Sequence, residues 1–228
     1  MIRNVSLSEI SDGKFYDLND MVKVDCNGCQ GCHACCQGMG HSIVLDPWDV
    51  FQLTIGLSQS FQELLKNSVD LNVVDGIILP NLKMQGEAER CIYLNGEGRC
   101  SIHAFRPGIC RLFPLGRYWD QNTFWYIHQI HECNYPNKTK IKVQKWIDTP
   151  DIKNYHQFVI DWHSLQKDIQ SLIQSAKDDK LIKDINMFLL NTFYVEAYNH
   201  QIDFYEQFHA RLIKMRKLLS VLKTMVTD

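Results

Sequence analysis

Beyond Pro150 the apolar positions recur at steps of three and four. Tyr155, Phe158, Val159, Trp162, Leu165, Ile169, Leu172, Ile173 and Ala176 fall on one face of a helix with a 3.6-residue period. A second helix is predicted from Leu181 to Val195. The last stretch is the most regular: Tyr205, Phe208, Leu212, Met215, Leu219, Leu222 and Val226 alternate steps of three and four, a heptad seam that suits either packing in cis or a dimer contact. Arg211, Lys214, Arg216, Lys217 and Lys223 fall on its other faces, where solvated basic side chains are ordinary.

Before Pro150 the periodic runs are short and broken by turns. Ser42 to Leu45 reads as a short strand, and Asp46-Pro47 as a helix start, with Asp at the N-cap, Pro in the first turn and Val50, Phe51 and Leu53 facing the core. Ser60 to Glu63 fits a capping box opening a helix over Phe61 to Val69. Asp75-Gly76 between Val73-Val74 and Ile77-Ile78 marks a tight hairpin turn. Cys91 to Cys100 reads as a second hairpin with Asn95 to Gly98 at its tip. Tyr118-Trp119 and Phe124 to Ile127, flanking Asp120-Gln-Asn-Thr, read as a third. The predicted fold is α+β: a small irregular cysteine-rich domain of short helices and β-hairpins over residues 1–150, then C-terminal α-helices over residues 151–228, packed on it or used for association.

Composition adds a compartment. With 45% hydrophobic and 22% charged residues in 228, the chain has the make-up of a globular protein. Its formal net charge of −2 gives no overall reason to expect nucleic acid. No apolar run approaches the roughly 20 residues that cross a bilayer, and the first residues lack the apolar core of a secretory signal. These features predict a cytoplasmic protein, where cysteine-dense stretches bind metal more often than they form disulfides.

All nine cysteines lie between Cys26 and Cys133. Cys26, Cys29, Cys32, Cys35 and Cys36 fall within eleven positions, and their two-residue gaps let a turning backbone aim successive sulfurs at one centre. Gly28, Gly31 and Ala34 leave room for the turns. Cys35 and Cys36 are adjacent, and neighbouring side chains diverge in a helix or strand, so one tetrahedral ion rarely accepts both. Two four-thiolate sites with one thiol over, or one site with several thiols over, both satisfy the count. The remaining thiols, Cys91, Cys100, Cys110 and Cys133, are the only distant partners available. Cys26, Cys29, Cys32 and Cys36 have ferredoxin spacing, but Gln37 stands where that run has proline. Radical S-adenosylmethionine spacing needs a cysteine where Met39 stands. His33 and His103 also have the chemistry of zinc ligands.

The run Cys29-x2-Cys32-x2-Cys35-Cys36, then Cys91, Cys100-Ser-Ile-His103, Arg106-Pro107-x2-Cys110-Arg111-x-Phe113-Pro114 and Cys133, resembles the YkgJ-type cysteine-cluster family, also called CxxCxxCC proteins, over about residues 26–135. The resemblance implies a zinc- or iron-chelating domain whose ligands are Cys29, Cys32, Cys35, Cys36, Cys91, Cys100, Cys110 and Cys133. Cys26 lies outside the short form of the pattern, as do the C-terminal helices. Arg106 and Arg111 flank Cys110, where guanidinium groups would offset thiolate charge from a second layer around the metal. Pro107 is placed to start a short helix carrying Cys110, and Pro114 to end it.

Three functions follow as expectations. One is a metal-binding protein holding zinc or an iron–sulfur cluster such as 4Fe-4S, in one site or two. Another is an iron–sulfur oxidoreductase or a methyltransferase-like enzyme, since larger relatives of this family include a flagellin lysine N-methylase. The third is an adaptor using its last helix for a protein partner or homodimer. No Gly-x-Ser-x-Gly, His-Glu-x-x-His, phosphate-loop or Gly-x-Gly-x-x-Gly motif is present.

Overall fold

The computed structural model describes residues 6–26, 32–176 and 178–227. The fold is α+β, with short two-stranded sheets and long C-terminal helices. Two compact units form: Met1–Ile43 with Leu82–Lys153, and Val44–Asn81 with Asn154–Asp228. Residues 44–81 therefore fold with the C-terminal helices, although the cysteines lie on both sides of them in sequence.

In the helical unit, local signals set the element starts. The Pro47–Leu57 helix opens with a capping box in which the Asp46 carboxylate accepts from Asp49 N at 2.8 Å and the Asp49 carboxylate accepts from Asp46 N at 3.1 Å. Val50, Phe51 and Leu53 are buried as expected. The Phe61–Asn67 helix opens with the Ser60–Glu63 box. Strands Val69–Val74 and Ile77–Leu82 pair across Asp75 and Gly76, both at positive φ, as a tight hairpin turn requires. The expected strand over Ser42 to Leu45 is reduced to one bridge between Val44 and Asn81.

Helices Ile152–Ser175, Asp179–Leu190 and Phe204–Thr227 supply the core of this unit. The seam packs in cis: Phe208, Leu212, Met215 and Leu219 are buried, and Phe208 meets Phe158 edge-on at 4.6 Å. Asn186 docks the hairpin on its helix, accepting from Ile78 N at 2.7 Å and donating to Gly76 O at 3.3 Å. The second helix ends in a π-helical turn, Asn191–Val195, instead of running regularly to Val195. Arg211 departs from the solvated basic face. It is only 8% exposed and donates to the carbonyls of Thr192, Glu196 and Ala197 at 2.6–2.9 Å, because the π turn leaves those acceptors without helical partners. No helix among the described residues is long and apolar enough to cross a membrane.

The cysteine-bearing unit is built from small sheets. Met21–Asp25 pairs antiparallel with Thr139–Lys142, and Leu115–Asp120 with Thr123–His128, the latter through the predicted hairpin with Tyr118 opposite Trp125. The first pairing was not legible in the chain, although Val22 and Val24 alternate inward as a half-buried strand requires.

Beside the Leu115–His128 hairpin, Asp12 accepts from Tyr16 OH and faces His128 Nδ1 at 3.8 Å. Burial pushes the His128 pKa down, against the pull of Asp12 and with a smaller push from Lys138. A histidine held neutral in the fold but free to protonate when unfolded costs stability as pH falls below its ordinary value of about 6.5. Denaturant midpoints should therefore drop between pH 7.5 and 5, and His128→Gln should show a shallower drop. Parallel curves for the two proteins would refute this assignment.

Candidate metal centre

Four stretches of chain converge on one cavity of about 80 Å³ lined by Cys32, Cys35, Cys36, Cys91, Cys100 and Cys110. A volume of this size exceeds several times what a single water occupies. The eight described cysteines, Cys26 and Cys133 among them, are thiols with no disulfide. Cys29 lies outside the described residues.

Local geometry explains how each sulfur arrives. Ala34–Cys36 forms a 3₁₀ turn, closed by Cys36 N donating to His33 O at 2.9 Å. With three residues per turn, Cys35 and Cys36 stand about 120° apart, yet both border the cavity. Gly38, at φ +65°, donates to the carbonyls of Ala88 and Glu89 at 3.2 Å and ties this turn to the next stretch. There Arg90–Cys91 pairs with Met84–Gln85, placing Cys91 opposite Met84.

The expected Cys91–Cys100 hairpin is corrected here. Leu94 N donates back to Cys91 O at 2.9 Å, so the chain turns at once, and Cys100 bridges Leu94 rather than Cys91. The tip is as read: the Asn95 side chain accepts from Glu97 N and Arg99 N, at 3.0 and 2.8 Å. Cys110 lies in the short Gly108–Leu112 helix, with Pro107 at its N-cap.

The electrostatics concern thiols that sense one another. A hydrogen bond from Cys36 holds the Cys35 pKa down against burial, and Arg106 helps; the same bond pushes Cys36 up, with burial and the charges of Cys35, Cys110 and Cys91 adding. Burial raises Cys91 and Cys100. Each is partly compensated by a backbone N–H two residues on, from Tyr93 and Ile102 respectively, donating to sulfur. Such donors favour the thiolate, the form that binds metal.

The two flanking arginines divide. Arg106 lines the cavity, donates from Nη1 to His103 Nε2 at 2.8 Å, and has a buried Nε with no hydrogen-bond partner among the described residues. Arg111 is aimed at backbone: its three nitrogens donate to Arg106 O, Ala104 O and Asp148 O at 2.6–3.1 Å. Burial and the nearby arginines lower the His103 pKa, leaving its Nε2 an acceptor for Arg106. Arg99 also borders the cavity, a position the sequence reading passed over although it adjoins Cys100. His33 packs on Gly98, where any Cβ would stand 2.9 Å from Nδ1, so only glycine fits that tip.

Cys133 and the buried Cys26 are not among the residues bordering the cavity. The donor set fits a thiolate-bound metal: six soft sulfurs, N–H donors aimed at two of them, and an unpartnered guanidinium nitrogen beside them. Among the described residues, no three Cys, His, Asp or Glu side chains form a closed metal-holding group.

No curated protein and no solved structure matches this chain. A family described as "CxxCxxCC: Putative zinc- or iron-chelating domain" matches residues 28–145, more than half of the chain and the whole thiol cavity. This protein belongs to the CxxCxxCC family of zinc- or iron-chelating domains.

Proposed function

We propose that this protein binds more than one metal atom in a single thiolate-lined centre, as bridged zinc ions or a sulfide-bridged iron cluster. Cys32, Cys35, Cys36, Cys91, Cys100 and Cys110 are the inner ligands, and Cys29 and Cys133 complete the set. The carrying observation is that six thiols share one cavity, whereas one tetrahedral ion takes four. Adjacent Cys35 and Cys36 both border it, which suits a centre with more than one metal atom. Arg106 acts from beside the ligands, where its Nε would donate to a thiolate sulfur and offset the charge of the bound group. Cys26 stands outside the family's cysteine pattern, and the proposed centre does not require it.

Bound there, metal supplies crosslinks between four chain stretches and, if it is iron, an electron acceptor. Anaerobic purification followed by elemental analysis tests the reading. Two or more zinc or iron atoms per chain are expected; one atom per chain sinks it. Visible absorption then separates coloured sulfide-bridged iron from colourless zinc.

A further inference from the structure

The helical unit contains an open cleft of about 670 Å³, within the usual range for small-molecule sites. One wall is the Pro47–Leu57 helix and the start of the Phe61–Asn67 helix; the other is the segment from Tyr194 to Gln201. Its lining contains no Asp, Glu, Lys or Arg. Buried aromatic rings, Phe51, Phe61, Tyr194 and Tyr198, form the inner part, while Asn199, His200 and Gln201 stand exposed at the rim.

The segment is built to stay in place. Arg211 holds the carbonyls of Thr192, Glu196 and Ala197 and lies 3.6 Å over the Tyr198 ring. Gln207 accepts from Asn199 N at 2.8 Å and donates to Asn199 O at 3.0 Å. The backbone is therefore fixed from behind, leaving rim side chains toward the cleft, and preorganisation of this kind lowers the cost of binding. A π-helical turn leads directly into the segment, and such turns cluster at functional positions. The Tyr198 hydroxyl is buried beside the Arg211 guanidinium, which hydrogen-bonds it and ties the ring to the same clamp.

We infer that this cleft binds an uncharged, oxygen-bearing small molecule of about nucleoside or monosaccharide size. The ligand's apolar face rests on the aromatic rings, and its polar groups meet the amide side chains of the rim. A charged ligand would enter without a counter-ion, which the half-enclosed setting penalises. This site is independent of the thiol cavity and does not rest on the metal reading.

The test is an NMR titration of the full chain with uridine and N-acetylglucosamine, and with their phosphorylated counterparts, uridine monophosphate and N-acetylglucosamine 6-phosphate. At least one neutral probe should shift the amides of Asn199, His200 and Gln201, and its phosphorylated form should bind at least tenfold more weakly. Gln201→Ala trims the exposed rim and leaves the fixed backbone in place; it should weaken the neutral probe at least fivefold while the ligand-free protein melts at an unchanged temperature. Silence from both neutral probes, equal binding of a phosphorylated form, unchanged affinity in the variant, or a lower melting temperature for it would each overturn the site.

Discussion

Replacing Cys110 by serine should remove most of the bound metal and unfold the cysteine-bearing unit with it. Binding free energy for structural zinc in small thiolate domains is roughly 10–16 kcal/mol, and in such domains it is folding free energy. The sheets here are two-stranded, and the helix carrying Cys110 has five residues, so neither element is stable on its own. Elemental analysis should show less than half the wild-type metal. Hydrogen exchange should show lost protection around residues 84–112 with the Ile152–Ser175 and Phe204–Thr227 helices still protected. Full metal occupancy in Cys110→Ser would remove this thiol from the centre.

Arg111→Ala should produce the second largest effect, for a reason separate from sulfur. Its guanidinium joins the carbonyls of Ala104 and Arg106, on the stretch that delivers Cys100 and Cys110, to that of Asp148 further along the chain, and the residue is 8% exposed. Removing it leaves three carbonyls without these donors, at a cost of about 3–5 kcal/mol, similar to breaking a buried ion pair. Arg111→Lys should recover only part of that, since one ammonium cannot reproduce a planar fork serving three acceptors. Chemical denaturation of the metal-loaded protein measures both. A loss under about 1 kcal/mol for Arg111→Ala would show that other contacts hold the loop.

How much of this was readable from the chain depends on the range of the signal. The Asp46 and Ser60 capping boxes, the Asp75-Gly76 turn and the apolar stripes of the long helices are local, each complete within a few turns of backbone, and each appears as read. The heptad seam was ambiguous because the same stripe suits an internal neighbour or a second chain. Within the chain, Phe158 on the Ile152–Ser175 helix packs against Phe208 of the seam. The pairing of Met21–Asp25 with Thr139–Lys142 was hidden because each strand is short and its partner lies more than a hundred residues away. Arg211 read as a surface cation because its carbonyl partners exist only where the π turn releases them.

The amino-acid sequence by itself determined the donor chemistry, the element starts and the family, because thiol spacing, caps and turns act over a few residues. Tertiary structure alone decided which thiols share a cavity, that Arg106 faces them while Arg111 clamps backbone, and that residues 44–81 fold with the C-terminal helices. Those outcomes depend on hydrogen bonds and packing between segments distant in the chain, such as Gly38 to Ala88 and Arg111 to Asp148, for which no short motif exists.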